Sequence, residues 1–147
     1  MFRFKMEPTQ EYDRLVKFFI DNGLEFDEDE KDPSNVVVKC WKITQPGDHL
    51  IAACSLVNRE GHFVVEGLAV EEIFRKTGLG KILMNKVYEE VKKQGGSEVI
   101  LMARKPEFYE KLGFEEVKPE DAPAIFDCLG CPQIKNDCFP KNMKKTL

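Results

Sequence analysis

Along this chain, apolar residues recur at every second position in some segments and at the 3.6-residue period of a helix in others. These two periods divide the chain into predicted strands and predicted helices. Phe2 and Phe4 alternate with basic residues, which predicts a short first strand. A helix is predicted next, with Thr9 as its N-cap and Asn22-Gly23 as its end. Its apolar positions share one helix face: Tyr12, Leu15, Val16 and Phe19.

Three strands are predicted in close succession after this helix. Residues 35–43, 50–57 and 63–70 are rich in aliphatic and aromatic side chains and are separated by turn residues such as Pro46-Gly47 and Glu60-Gly61. Short turns join strands that run in opposite directions. The pattern therefore predicts an antiparallel meander.

The second half of the chain predicts a crossover from strand through helix to strand. A helical apolar stripe covers 79–91, and the continuously apolar 99–102 is typical of a strand buried beside a parallel neighbour. A short helix from Pro106 to Gly113 and a strand at 114–117 follow. The predicted fold class is α/β of the α+β kind, with a mixed, mostly antiparallel sheet flanked by helices.

The segment Arg75-Lys76-Thr77-Gly78-Leu79-Gly80 joins the third meander strand to the long helix. Glycines at such a junction leave the first N–H groups of the helix bare, at the positive end of the helix dipole. Arg75 and Lys76 add cationic donors for a charged ligand. This segment predicts a site for a phosphate or pyrophosphate, although a purely structural turn explains it equally well when it is considered alone.

Two motifs together resemble the GCN5-related N-acetyltransferase (GNAT) superfamily. The first is 67–70 with 75–80, and the second is Phe108-Tyr109-Glu110-Lys111-Leu112-Gly113-Phe114. The resemblance extends from about Val64 to Val117 and implies acetyl-CoA as the acyl donor. It also implies that the central parallel strands splay apart and hold the pantetheine arm between them.

The resemblance assigns the donor-binding residues one by one. The backbone of Leu68, Ala69 and Val70 is expected to pair with pantetheine and to polarise the thioester carbonyl. The residues expected around the pyrophosphate are Arg75, Lys76, Thr77, Gly78, Leu79, Gly80 and Lys81.

Catalysis is expected to be direct attack by a primary amine of a small molecule or peptide on the bound thioester. Tyr109 matches the family tyrosine that often protonates the departing thiolate. Glu66 is the candidate general base, with His62 a weaker alternative, and some enzymes of this kind have no single essential base. Two alternatives stay open: a catalytically silent acyl-CoA sensor, and a redox- or metal-responsive binding protein.

Composition and charge indicate the number of domains, the partners and the cellular location to expect. The chain has 147 residues and a net charge of −4, which suits a single domain over 1–147 and argues against nucleic-acid partners. The sequence has neither a membrane-length apolar run nor a signal-peptide pattern, so a cytoplasmic location is expected. The acidic run over 25–32 is either a solvated loop or a surface that attracts a cationic amine.

The segment 118–147 is atypical for the family. A short helix is predicted over 121–126, and Cys128, Cys131 and Cys138 follow at spacings that suit a metal, a redox pair or buried thiols. No metal is assigned, because no fourth ligand lies nearby in the sequence. Only 142–147 resembles a terminal strand. The acceptor, the acyl-chain preference and the choice between monomer and homodimer stay open.

Overall fold

The computed structural model describes residues 4–24, 35–103, 105–118 and 141–147. Within these ranges the chain forms three α-helices and seven strands. In chain order they are β1 (Lys5–Thr9), α1 (Tyr12–Asp21), β2 (Asn35–Gln45), β3 (His49–Arg59), β4 (His62–Val70), α2 (Leu79–Lys93), β5 (Glu98–Ala103), α3 (Pro106–Lys111), β6 (Glu115–Val117) and β7 (Lys141–Thr146).

The seven strands form one sheet in the order β1-β2-β3-β4-β5-β7-β6. Every neighbouring pair is antiparallel except β4 and β5, which run parallel. The predicted meander of β2, β3 and β4, the strand–helix–strand crossover and the mixed sheet are therefore confirmed.

The parallel pair splays apart at its carboxyl end. Pairing between β4 and β5 covers only Val64 with Ile100 and Val65 with Leu101. Beyond these pairs β4 continues to Val70. The opening predicted between the central strands is thus present, and it lies directly before the segment that leads into α2.

Helices α1 and α2 cover opposite faces of the sheet. Ala53 of β3 packs in a cluster with Leu15 and Phe19 of α1, whereas the next residue, Cys54, packs in the larger cluster with Leu83 of α2. Consecutive strand residues point to opposite faces. The larger core therefore lies under α2, on the side that α3 also contacts.

The prediction of Thr9 as a helix cap is wrong. Thr9 ends β1, where it pairs with Cys40 of β2, and α1 begins at Tyr12 with Glu11 in the N-cap position. Strand β1 also runs further than the predicted first strand, because pairing with β2 extends it through Pro8. Proline is tolerated there because β1 is an edge strand.

Several predictions fall on residues outside the described ranges. These are the acidic run over 25–32, the short helix over 121–126, and Cys128, Cys131 and Cys138. The extent of the domain, 1–147, stays a prediction. Among the described residues, no helix is both long and apolar enough to cross a membrane.

Candidate functional site

The splayed end of β4 leaves one backbone edge open. Leu68 and Val70 use the other edge, where they pair with Cys54 and Ala52 of β3. In the described part of the chain no strand pairs with their β5-facing edge. Such an edge presents alternating N–H and C=O groups to any extended ligand, and pantetheine carries amide groups that suit it.

The connection from β4 to α2 is held by two side-chain hydrogen bonds. Arg75 Nε donates to the carbonyl of Val70 across 3.0 Å, and the Thr77 hydroxyl donates to the carbonyl of Phe74. The Arg75 bond ties the connection back to the last residue of β4. The loop that leads to the helix is therefore braced against the strand whose edge is open.

The amino terminus of α2 is suited to an anion. Gly78 occupies the N-cap in the left-handed conformation, with φ of +88°, and no side chain of the described residues caps the helix. The first turn carries no acidic residue, and Lys76 and Lys81 on either side are exposed. Bare N–H groups, the helix dipole and two cationic side chains all favour negative charge at this point.

Tyr109 lies on α3 and packs by its ring edges against Phe114 and Phe108, at centroid distances of 5.6 and 5.0 Å. Its side chain joins the rim of the large core under α2. Burial raises the pKa of Tyr109, and nearby Cys54 and Tyr88 raise it further. The phenol therefore keeps its proton at neutral pH, as a proton donor must.

Glu66 is the extra residue of a β-bulge in β4. Ser55 of β3 pairs with Gly67 and the next residue, Leu56, pairs with Val65, so Glu66 has no partner in the β3 register. A bulge changes the direction in which a strand presents its side chains. It places Glu66 on the α1 face, at the start of the splayed segment.

Among the described residues, the Glu66 carboxylate is in contact with the side chains of Arg59, Ser55 and Tyr12. Arg59 Nη2 lies 3.2 Å from Oε2, Ser55 Oγ lies 3.4 Å from Oε1, and the Tyr12 hydroxyl donates to Oε1. The Glu66 side chain is only 6% exposed. Burial raises the pKa of Tyr12, and its hydrogen bond to Glu66 raises it further.

This network is the part of the site that sequence reasoning missed. Tyr12 lies in a helix 54 positions away from Glu66 in the chain, and its spacing in α1 reads only as one more core position. Arg59 and Ser55 lie on β3, where nothing in the local sequence distinguishes them from ordinary strand residues. Their roles follow from the assembled sheet and not from any local sequence signal.

The weaker candidate base, His62, lies at the other end of β4. It pairs with Arg59 at the start of the strand, before the segment that pairs with β5. The distance along the strand from His62 to Val70 is about 26 Å at ~3.3 Å per residue. His62 is thus further from the open edge than Glu66.

The described cysteines are both buried. Cys54 is fully buried opposite Leu68, and burial raises its pKa strongly. Burial raises the pKa of Cys40 to about 11. A thiol that keeps its proton is a weak nucleophile.

A second phenol lies near Tyr109. The Tyr88 hydroxyl is buried and has no hydrogen-bond partner among the described residues, and burial raises its pKa to about 12. Its ring lies 6.4 Å from Phe114, which in turn contacts Tyr109. Tyr88 therefore belongs to the aromatic surroundings of Tyr109.

Comparison with protein families gives one family match. Residues 36–116, more than half of the chain, match the family model described as acetyltransferase (GNAT) domain. The matched segment runs from the second residue of β2 into β6 and includes the open strand edge, the amino terminus of α2 and Tyr109.

Individual relatives agree with this match. The chain is 32% identical over 85 residues to an uncharacterized N-acetyltransferase of Chlorobaculum tepidum, which covers 56% of this chain and 54% of the relative. The match therefore spans about half the length of that curated relative.

Two solved structures share the fold across the whole chain. An acetyltransferase of the GNAT family from Staphylococcus aureus has a TM-score of 0.73 at 17% identity, with 99% of both chains covered. A GNAT family N-acetyltransferase from Escherichia coli, solved in complex with CoA, has a TM-score of 0.65 at 14% identity, covering 99% of this chain and 82% of the other.

Proposed function

The chain belongs to the GNAT acetyltransferase family, and we propose that it transfers an acetyl group from acetyl-CoA to a primary amine of a small molecule or peptide. The observation that carries this proposal is the juxtaposition of an open β4 edge and a bare helix amino terminus in consecutive segments. One is suited to an amide-bearing arm and the other to a pyrophosphate, which are the two parts of coenzyme A that a protein backbone recognises.

Donor binding is assigned to the backbone more than to side chains. The edge of Leu68, Ala69 and Val70 would hold the pantetheine amides, and one of its N–H groups would polarise the thioester carbonyl. The segment 75–81 would hold the pyrophosphate through the N–H groups that begin α2. Support comes from the left-handed Gly78, which has no side chain to obstruct the approach.

Tyr109 is assigned the role of general acid. The amine nitrogen attacks the carbonyl carbon, the carbon–sulfur bond breaks with its electrons on sulfur, and Tyr109 gives its proton to that sulfur. Support comes from the position of Tyr109 near Cys54, the residue that pairs with Leu68 of the open strand. As the amide forms, its nitrogen loses the second proton, and this proton returns through solvent to the Tyr109 phenolate.

Glu66 is assigned the role of proton acceptor from the attacking ammonium. Support comes from its position on the bulge at the start of the splay and from Arg59, whose Nη2 lies 3.2 Å from Oε2 and holds the carboxylate in place. Tyr12 donates to the same carboxylate and holds one of its oxygens in place. Direct transfer is preferred over an acyl-enzyme because Cys54 is fully buried beside the open strand.

The test is the release of free CoA thiol from acetyl-CoA, measured with a panel of amines. The panel contains polyamines, amino acids, aminoglycosides and lysine peptides, and at least one is expected to give turnover. Tyr109→Phe should lower kcat by about 100-fold, the lower end of the range for a lost general acid. A matched control is Tyr88→Phe, which removes a phenol from the same aromatic group and should cost less than Tyr109→Phe.

Two results would decide against this function. No CoA release above background with any amine overturns the enzymatic proposal. CoA binding by calorimetry without any turnover favours the silent acyl-CoA sensor instead. An unchanged rate in Tyr109→Phe removes the assigned role of Tyr109 while leaving transfer intact.

A further inference from the structure

Lys145, on the terminal strand β7, reaches across to the helix that carries Tyr109. Its ammonium donates to the carbonyl of Leu112, the residue that follows the last turn of α3. The same ammonium lies 4.6 Å from the centroid of the Tyr88 ring. A cation at a helix carboxyl terminus satisfies a carbonyl that the helix leaves open, and a cation over an aromatic face is attracted to it.

Helix α3 is short and lies at the surface of the described structure. It has six residues, none of them more than partly buried, and within the described part of the chain its N-cap makes no side-chain hydrogen bond. A helix this short does not hold its conformation alone in water. Its orientation therefore depends on the packing of Tyr109 and Phe114 and on the contacts at its carboxyl end.

The contacts of Lys145 lead to Tyr109 by two short routes. Along the backbone, the N–H groups of Leu112 and Phe114 both donate to the carbonyl of Tyr109 at 3.0 Å. Through the rings, Tyr88 packs against Phe114 at 6.4 Å, and Phe114 packs against Tyr109 at 5.6 Å. Lys145 thus contacts the first group of each route: the Leu112 carbonyl on the backbone route and the Tyr88 ring on the aromatic route.

The turn after α3 makes room for this ammonium. Gly113 adopts a φ of +94°, and a Cβ at this position would lie 3.3 Å from Lys145 Nζ. A side chain at position 113 would therefore be strained by its backbone and would crowd the lysine. The glycine and the lysine form one local arrangement.

We propose that Lys145 is a positioning residue for Tyr109, which it keeps aligned with the departing sulfur by fixing the carboxyl end of α3. The catalytic part of this inference rests on the proposed function. Lys145 does not touch the reacting atoms, so its loss is expected to affect turnover and to leave donor binding at the amino terminus of α2 unchanged.

The enzymatic test is a double-mutant cycle with Tyr109→Phe. Lys145→Met should lower kcat by about 10-fold, with KM for acetyl-CoA changed by less than about 2-fold, because only the general acid is misaligned. Lys145→Arg keeps a charged donor and should recover most of the rate. In the Tyr109→Phe background, Lys145→Met should add less than about 2-fold, since residues that act as one unit are not additive.

Lys144→Met is the matched control. It removes the same charge from the neighbouring position of the same strand, where the side chain points to the other face of the sheet. Its kcat should stay at the wild-type value. If Lys145→Met does not fold, Lys145→Ser takes its place, because its side chain is polar but too short to reach the Leu112 carbonyl.

A measurement without substrate separates this inference from the proposed function. Amide hydrogen exchange at Phe114, followed by NMR in the unliganded protein, should become at least about 10-fold faster in Lys145→Met and not in Lys144→Met. Unchanged exchange overturns the inference whether or not any amine is acetylated. The inference is also overturned if the kcat losses of Lys145→Met and Tyr109→Phe are additive in the double variant, or if Lys144→Met loses as much kcat as Lys145→Met.

Discussion

Replacing Gly67 with alanine tests how tightly α1 is packed on the bulged segment of β4. An ideal Cβ at Gly67 would lie 2.6, 2.8 and 2.9 Å from three ring atoms of Phe19. Ordinary carbon contacts begin near ~3.5 Å, so the ring has to move by nearly 1 Å. Phe19 is fully buried in the cluster under α1, and it has no open space to move into.

The magnitude follows from two opposing effects. Forcing an extra methyl group into a packed core costs about 1–3 kcal/mol. Alanine in place of glycine restricts the unfolded chain and returns about 0.4–1 kcal/mol. We therefore expect Gly67→Ala to lower the free energy of unfolding by about 1–2 kcal/mol, which corresponds to a Tm lower by roughly 2–8 °C for a chain of this size.

The assay is urea and thermal unfolding, with two companion variants. Phe19→Leu removes the clashing ring, so Gly67→Ala should be less harmful in that background, by about 1 kcal/mol of coupling. Gly80→Ala is the contrasting control: its Cβ would lie 2.9 Å from Phe108 Cζ, but that ring is 37% exposed and free to turn away. Gly80→Ala should be neutral, or more stable by up to about 1 kcal/mol from helix propensity.

The result that refutes this reasoning is an unchanged or raised Tm for Gly67→Ala. The reasoning would also be refuted if the losses of unfolding free energy in Gly67→Ala and Phe19→Leu simply added in the double variant. The cost of the alanine would then not come from a clash with Phe19. If Gly80→Ala proves as harmful as Gly67→Ala, the exposure of the facing ring is not what decides the outcome.

Three further predictions concern local chemistry. Lys76 has a φ of +67°, in the left-handed region. Lys76→Gly should therefore leave the urea midpoint unchanged or higher, whereas Lys76→Val should lower the unfolding free energy by about 1 kcal/mol. A lower midpoint for the glycine variant would contradict this. Cys40 and Cys54 should resist iodoacetamide at pH 8 in the native protein and react in urea, as mapped by peptide mass spectrometry, because burial raises both pKa values. Gln94 and Lys39 lower the pKa of the Glu90 carboxyl, so its stabilising effect is present above the unfolded pKa of about 4.3 and is lost as the pH falls through the lowered value. Glu90→Gln should therefore be less stable than wild type at pH 7, with the difference shrinking below about pH 4, and a constant difference would exclude this linkage.

The exposed helix amino terminus at Gly78 could be predicted because neighbouring residues in the sequence determine it. Gly78 and the residues around it are consecutive, and a glycine before a helical apolar stripe specifies an exposed helix amino terminus by itself. The apolar stripe of α2 and the continuous strand at β5 are equally local, and both were predicted correctly. The prediction of Thr9 as a helix cap is wrong for the opposite reason. Pairing of β1 with the distant strand β2 overrides the helix start that the neighbours of Thr9 favour.

Glu66 was a candidate from the sequence, but the side chains around it could not be predicted in this way, and the bulge at Glu66 explains why. Val65 and Leu68 both pack in the core under α2, although they are three positions apart and would face opposite sides of a regular strand. The alternation within β4 therefore gives the wrong face for every residue on one side of the bulge. Whether a strand contains a bulge is decided by its pairing with β3, which is a property of two distant segments together. The same pairing directs Glu66 toward Tyr12, so the hydrogen-bond network around its carboxylate arises only once the sheet is assembled.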